Sequence, residues 1–125
     1  MGRIFDALCV GESRLYTLFD TGAKHSFASE EAARAGKLTE LAKPLAVEIG
    51  GKRQRIRRYC LLEGTIRKKA VHLQALVLPE IGHDTEGRAI DVLFGADAMQ
   101  DFGIRLIPEE ERLDLSRYRR TFVEF

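Results

Sequence analysis

The chain has 125 residues, with 20 Lys and Arg against 19 Asp and Glu, a net charge of +1, 45% hydrophobic residues and 31% charged ones. That length corresponds to one domain, 1–125, able to bury a core without disulfides or a metal. The composition excludes disorder, collagen-like repeats and a disulfide scaffold, and the balanced charge gives no global field for nucleic acid or an anionic membrane.

Short strand-like runs dominate the chain. Residues 4–10 and 14–19 flank Gly11-Glu12-Ser13, which predicts a β-hairpin with a three-residue turn. Ser29 followed by Glu30 and Glu31 starts a short helix: the hydroxyl can cap, and the acids suit the positive helix end. Alanines continue it to Ala35, and Gly36 stops it. Residues 45–49 and 54–62 flank Gly50-Gly51-Lys52-Arg53, a second hairpin with glycines at its tip. Residues 70–78 alternate at period two, with His72 and Gln74 outward, and Pro79 closes the strand. A polar loop covers 79–88. Residues 90–94 read as a buried strand ending at Gly95, followed by a short helix over 96–102 stopped by Gly103. Short strands at 104–107, 113–115 and 121–125, with a turn at 108–112, complete a mainly β barrel or folded-over sheet with two short helices.

The compartment is read as cytoplasmic. Cys9 and Cys60 each sit within an apolar strand-like run, the pattern of two buried, reduced thiols rather than of a secreted disulfide framework. The N-terminus has no apolar signal region, and no stretch approaches the ~18 apolar residues of a membrane span.

Chemistry concentrates at Asp20-Thr21-Gly22-Ala23. An apolar strand delivers an acid at its end, followed by a small hydroxyl and then by a glycine whose amide can face the carboxylate. Most such tripeptides are plain turns. Here the segment is echoed 75 residues later, where Val92-Leu93-Phe94-Gly95-Ala96-Asp97-Ala98 again runs from apolar strand to small-residue turn. Two similar units in one chain suggest a pseudo-twofold arrangement.

These segments, 18–27 and 90–97, resemble the retropepsin-like aspartic proteases, the single-lobe, homodimeric relatives of pepsin. Ile49-Gly50-Gly51 looks like the tip of that family's flap hairpin, and 71–79 like the strands after it. The resemblance implies a closed acid-protease barrel, one lobe per chain, with polypeptide as substrate and no cofactor. It also implies a catalytic role for Asp20, with Thr21 bracing the opposite loop across a twofold axis and Gly22 allowing close backbone approach. Ala23, Ile49, Gly50, Gly51 and Gly95 would be substrate-binding: small Ala23 leaves the site uncrowded, and Gly95 lets its chain pass beside the Asp20 loop. The chemistry fits. One ionised carboxylate activates water while one protonated carboxyl donates to the carbonyl oxygen, and like charges ~3 Å apart share a proton, as in the well-known aspartic-protease pair. One Asp-Thr-Gly per chain predicts that two copies make one site. A catalytically silent dimerisation or peptide-binding module is the alternative.

Other constellations are weaker. Asp97 falls at a helix start, where capping is the ordinary role. His25, His72 and His83 show no metal-ligand spacing with the cysteines, and neither cysteine suits a Cys/His hydrolase if buried. Gly50-Gly51 lacks the Lys-Ser/Thr of a phosphate loop. The basic runs 52–58, 67–69 and 117–120 read as solvated faces and edge protection rather than as a nucleic-acid surface. Lys52, Arg53 and Arg55 on the expected flap nevertheless predict a preference for acidic or polar substrates. The apolar 121–125 segment is the candidate dimerisation strand.

Overall fold

Three hairpins form the framework of the computed structural model, which describes residues 3–122. In the first, β1 (Arg3–Val10) pairs antiparallel with β2 (Ser13–Asp20) from Arg3↔Asp20 to Val10↔Ser13. Ser13 is therefore already in the ladder, and the turn is the two residues Gly11-Glu12 rather than three. β3 (Ser26–Ser29) leads into α1 (Glu30–Ala33), capped as expected by Ser29 Oγ, which accepts the Ala32 N–H at 3.1 Å. The helix is a single turn and ends before Ala35.

The second hairpin, β4 (Lys37–Ile49) with β5 (Lys52–Ile66), is longer than its apolar pattern suggests. Residues 37–44 are almost all exposed and show no alternation, and backbone pairing holds 37–40, from Lys37↔Leu61 to Glu40↔Arg58. The register shifts between Glu40 and Leu45, around Pro44, which has no N–H to give to a ladder. β5 continues into the third hairpin with β6 (Lys69–Leu78), where Val71, Leu73, Ala75 and Val77 face inward and His72 and Gln74 outward. β7 (Val92–Phe94), α2 (Ala96–Phe102), β8 (Arg105–Ile107) and β9 (Arg112–Asp114) follow. Thr121 and Phe122 carry no strand, and the rest of the proposed terminal strand lies outside the described residues.

The main sheet runs β1-β2-β7-β3-β6-β5-β4, and Cys9↔Thr65 pairs β1 with β5, closing six strands into a ring with β4 outside. Closure requires backbones to touch: a Cβ on Gly64 would stand 2.1 Å from the Cys9 carbonyl oxygen. The sequence echo has a structural counterpart. β2 and β7 lie parallel with Thr17↔Val92, Leu18↔Leu93 and Phe19↔Phe94, so the two similar segments are neighbours in one sheet.

The ring encloses a core built on Leu8, Phe19, Leu62, Leu73, Phe94 and Phe102. The rings of Phe19 and Phe94 meet at 4.8 Å directly below the ends of β2 and β7. A smaller cluster of Phe27, Ile56 and Leu78, with Val47, Ile49 and Leu93 against it, lies beneath the β4–β5 hairpin. Cys60 is buried, which pushes its thiol up to about 11. Cys9 is only half-buried, contrary to expectation, because Leu8 and Val10 take the inward face of β1 and period two turns Cys9 away. Among the described residues no helix is long and apolar enough to cross a membrane.

Candidate functional site

The site is built where β2 and β7 end side by side. Asp20 leaves β2 half-buried, and its Oδ1 accepts the Gly22 N–H at 2.8 Å, while its carbonyl accepts the Ala23 N–H at 3.3 Å. The acid is thus held by the turn that follows it. Beyond the turn, the carbonyls of Ala23 and Lys24 accept the N–H groups of Ala96 and Asp97 at 2.7 and 3.1 Å. The loop itself therefore caps α2. Gly95 occupies the N-cap position with no side-chain bond, and Asp97 lies in the first turn instead of capping.

Gly95 is buried behind the Asp20 loop. A Cβ there would be 2.2 Å from the His25 carbonyl oxygen and 2.9 Å from that of Ala23, so only glycine fits. Its N–H donates to Ser26 Oγ at 2.9 Å. Ser26→Ala would leave that amide buried without a partner, and is expected to lower stability by about 1–3 kcal/mol in chemical denaturation. A change near zero would show that water or a backbone shift replaces the hydroxyl.

A cleft of about 760 Å³ opens over Asp20, between this turn and the β4–β5 hairpin. Asp20, Gly22, Ala23, Ile49 and Gly50 line it, together with apolar Leu18, Phe27, Ile81 and Leu93. Gly50 and Gly51 make the hairpin tip with φ of 59° and 79°, as a two-residue turn of this kind requires. Gly51 does not line the cleft, and Gly95 supports it from behind. Thr21 points elsewhere: it is exposed beside a shallow depression formed with Ala96, Met99, Leu106 and Pro108. Asp97 lines a different groove, with His72 and Asp101. Lys52, Arg53 and Arg55 are exposed on the hairpin outside the cleft.

Sequence reasoning missed one wall. Ile90, at the start of the expected 90–94 strand that in fact begins at Val92, flanks the cleft together with residues 81–83 from the segment read simply as a loop. Asp84 orders that loop: Oδ1 accepts the Glu86 and Arg88 N–H groups at 2.9 Å each, and Oδ2 accepts the Tyr16 hydroxyl at 2.7 Å. The Arg88 guanidinium lies 3.9 Å over the Tyr16 ring, which also stacks on Phe5 at 5.0 Å. The Tyr16 hydroxyl, then the Arg88 amide, hold the Asp84 carboxyl below the usual carboxylate range, and the same bond raises the Tyr16 phenol. A lowered folded value means that Asp84 contributes to order above the ordinary carboxylate value of about 4, and that this is lost as pH falls through the lowered one. Amide signals of Glu86 and Arg88 are expected to titrate together in that acid range, with the midpoint moving upward in Tyr16→Phe. An unmoved midpoint would remove Tyr16 as the cause. The only local signals were an acid two residues before Glu86 and a nearby glycine, too common to single out.

No protein-family model matches the sequence, and no curated protein matches it. The chain has a mainly β, retropepsin-like fold. The retroviral protease-like domain of Ddi1 from Leishmania major superposes with a TM-score of 0.62, covering 94% of this chain and 90% of that one at 11% sequence identity. At that identity the likeness establishes the fold alone.

Proposed function

We propose that the chain, as one domain over 1–125, is half of a homodimeric aspartic endopeptidase of the cytoplasm. The observation that carries this is the Asp20-Thr21-Gly22 turn at the end of β2, facing a cleft under a glycine-tipped hairpin within a retropepsin-like fold. Asp20 and its copy across a twofold axis share one proton. The ionised carboxylate takes a proton from water as it attacks the peptide carbonyl, and the protonated one donates to the carbonyl oxygen. Gly22 N–H holds the carboxylate through Oδ1, and Oδ2 is left for chemistry. Exposed Thr21 is free to reach the loop of the second copy, and the β4–β5 hairpin closes over an extended peptide. Only carboxylates and water enter the reaction, so no metal, nucleic acid or membrane partner is required. Free Cys9 and Cys60 suit a reducing compartment.

The experiment is wild-type protein on an unbiased peptide library, read by mass spectrometry, with mass measured in solution. Endoproteolytic cuts that a statine-type transition-state mimic blocks and a chelator does not, from a species of two chains, are the expected result. A strict monomer, or no cleavage over pH 3–8, would leave the alternative of a silent dimerisation or peptide-binding module.

A further inference from the structure

We infer, on the protease reading above, that the cleft selects peptides bearing Asp or Glu on either side of the cleaved bond, and that Arg3 and Lys24 recognise them. Both residues line the Asp20 cleft, and His25 and His83 add imidazole donors from two of its walls. Arg3 is the β1 residue directly opposite Asp20 in the antiparallel register, and directly opposed residues project to the same face of a sheet. Lys24 and His25 come immediately after the turn and are exposed. They also line the adjoining groove that carries His72, Asp97 and Asp101, so they stand where a long peptide would pass from one groove to the next.

These cations are not used by the fold. Among the described residues the ion pairs are Arg58 with Glu30, Arg67 with Asp6 and Arg112 with Glu110, and neither Arg3 nor Lys24 takes part. The cleft's own acids do not answer them. Glu48 sits opposite Arg53 in the hairpin register and makes no ion pair with Arg3 or Lys24, and Asp20 is committed to the water. A peptide filling the cleft strips water from Arg3 and Lys24, an unfavourable step unless the peptide brings a countercharge. A carboxylate does so, and arginine can meet it with two parallel hydrogen bonds. Leu18, Phe27, Ile81 and Leu93 meanwhile line the cleft with apolar surface, so apolar side chains belong at its centre and acidic ones at its margins. Twofold symmetry would repeat the arrangement on both sides of the cleaved bond.

This relocates the acidic preference expected from the flap. Lys52, Arg53 and Arg55 lie outside the cleft, where they can add to long-range attraction but cannot read a position. Exposed Lys24 is the discriminating residue to change, because its replacement disturbs neither the core nor the Asp20–Gly22 bond.

The test is a matched peptide series in which Glu, Gln or Lys flanks a central apolar pair, assayed with wild type, Lys24→Gln and Lys24→Glu. Wild type is expected to prefer Glu-flanked peptides in kcat/KM, with the preference shrinking at high salt. Lys24→Glu is expected to lower Glu-flanked turnover roughly tenfold, as an attractive exposed pair becomes a repulsive one, and to raise Lys-flanked turnover. Cleavage without a charge preference, or with one that Lys24→Glu leaves intact, overturns the proposal while sparing the protease reading. If wild type cleaves none of the peptides, the protease reading fails instead, and direct binding decides. Tighter binding of Glu- than Gln-flanked peptide, lost in Lys24→Glu, upholds the cationic cleft, and equal binding overturns it.

Discussion

Asp20→Asn is expected to lower peptide hydrolysis by a factor on the order of 10⁴, the scale of a lost acid–base group, without unfolding the protein. The fold should survive because the bond Asp20 makes within its own loop is one that Asn can also make. Its Oδ1 accepts from Gly22 N–H at 2.8 Å, and an amide oxygen accepts equally well. What Asn cannot do is share a proton with a second carboxylate. Mixing gives a sharper form of the same test. If the site lies between two chains, an equal mixture of wild type and variant that exchanges subunits retains about a quarter of wild-type activity, since both partners must carry the acid. A site within each chain would retain about half. Full activity in the pure variant, with mass spectrometry confirming the substitution, would end the assignment of Asp20.

The parts of the fold legible in the sequence are those where side chains dictate position. Period-two alternation marked β6, Ser29 marked the start of α1, and Gly103, with φ of 69°, marked the end of α2. The Asp20 turn was legible because acid, hydroxyl and glycine are contiguous, and the echo at 92–98 pointed to the segment that pairs beside it. What was not legible depends on partners distant in the chain. The first half of β4 is polar and exposed, so only its pairing with residues 58–61 makes it a strand. Asp97 reads as a cap until the loop carbonyls of Ala23 and Lys24 are seen to do that work. Arg3 gains meaning from standing opposite Asp20, and the loop over 81–90 from Asp84 meeting Tyr16, 68 residues away. Local sequence carries none of these contacts.

Gly95→Ala is expected to be the most damaging single-methyl change near the site, costing about 3 kcal/mol of stability and most of the activity. The strain is not conformational, since φ at Gly95 is −89°, open to any residue. It is steric, and it falls on backbone: the new carbon would sit 2.2 Å from the His25 carbonyl oxygen, 2.7 Å from its carbon and 2.9 Å from the Ala23 oxygen. Side chains can rotate away, but these carbonyls cannot, because Ala23 O is also the acceptor for Ala96 N–H at 2.7 Å. Relief therefore has to separate the β7–α2 junction from the 20–25 loop, which also stretches the Gly95–Ser26 hydrogen bond and shifts Asp20. A displacement of about 1 Å at a reacting group is enough to lose on the order of 100-fold in rate. Gly22→Ala supplies the contrast: its Cβ would meet only the Asp20 carboxylate oxygen, at 3.1 Å, a side-chain atom that can turn aside. Urea unfolding should then show a large midpoint loss for Gly95→Ala and a small one for Gly22→Ala, with activity impaired in both. If Gly95→Ala unfolded at the wild-type midpoint, the close approach of β7 to the Asp20 loop would not be what fixes the carboxylate.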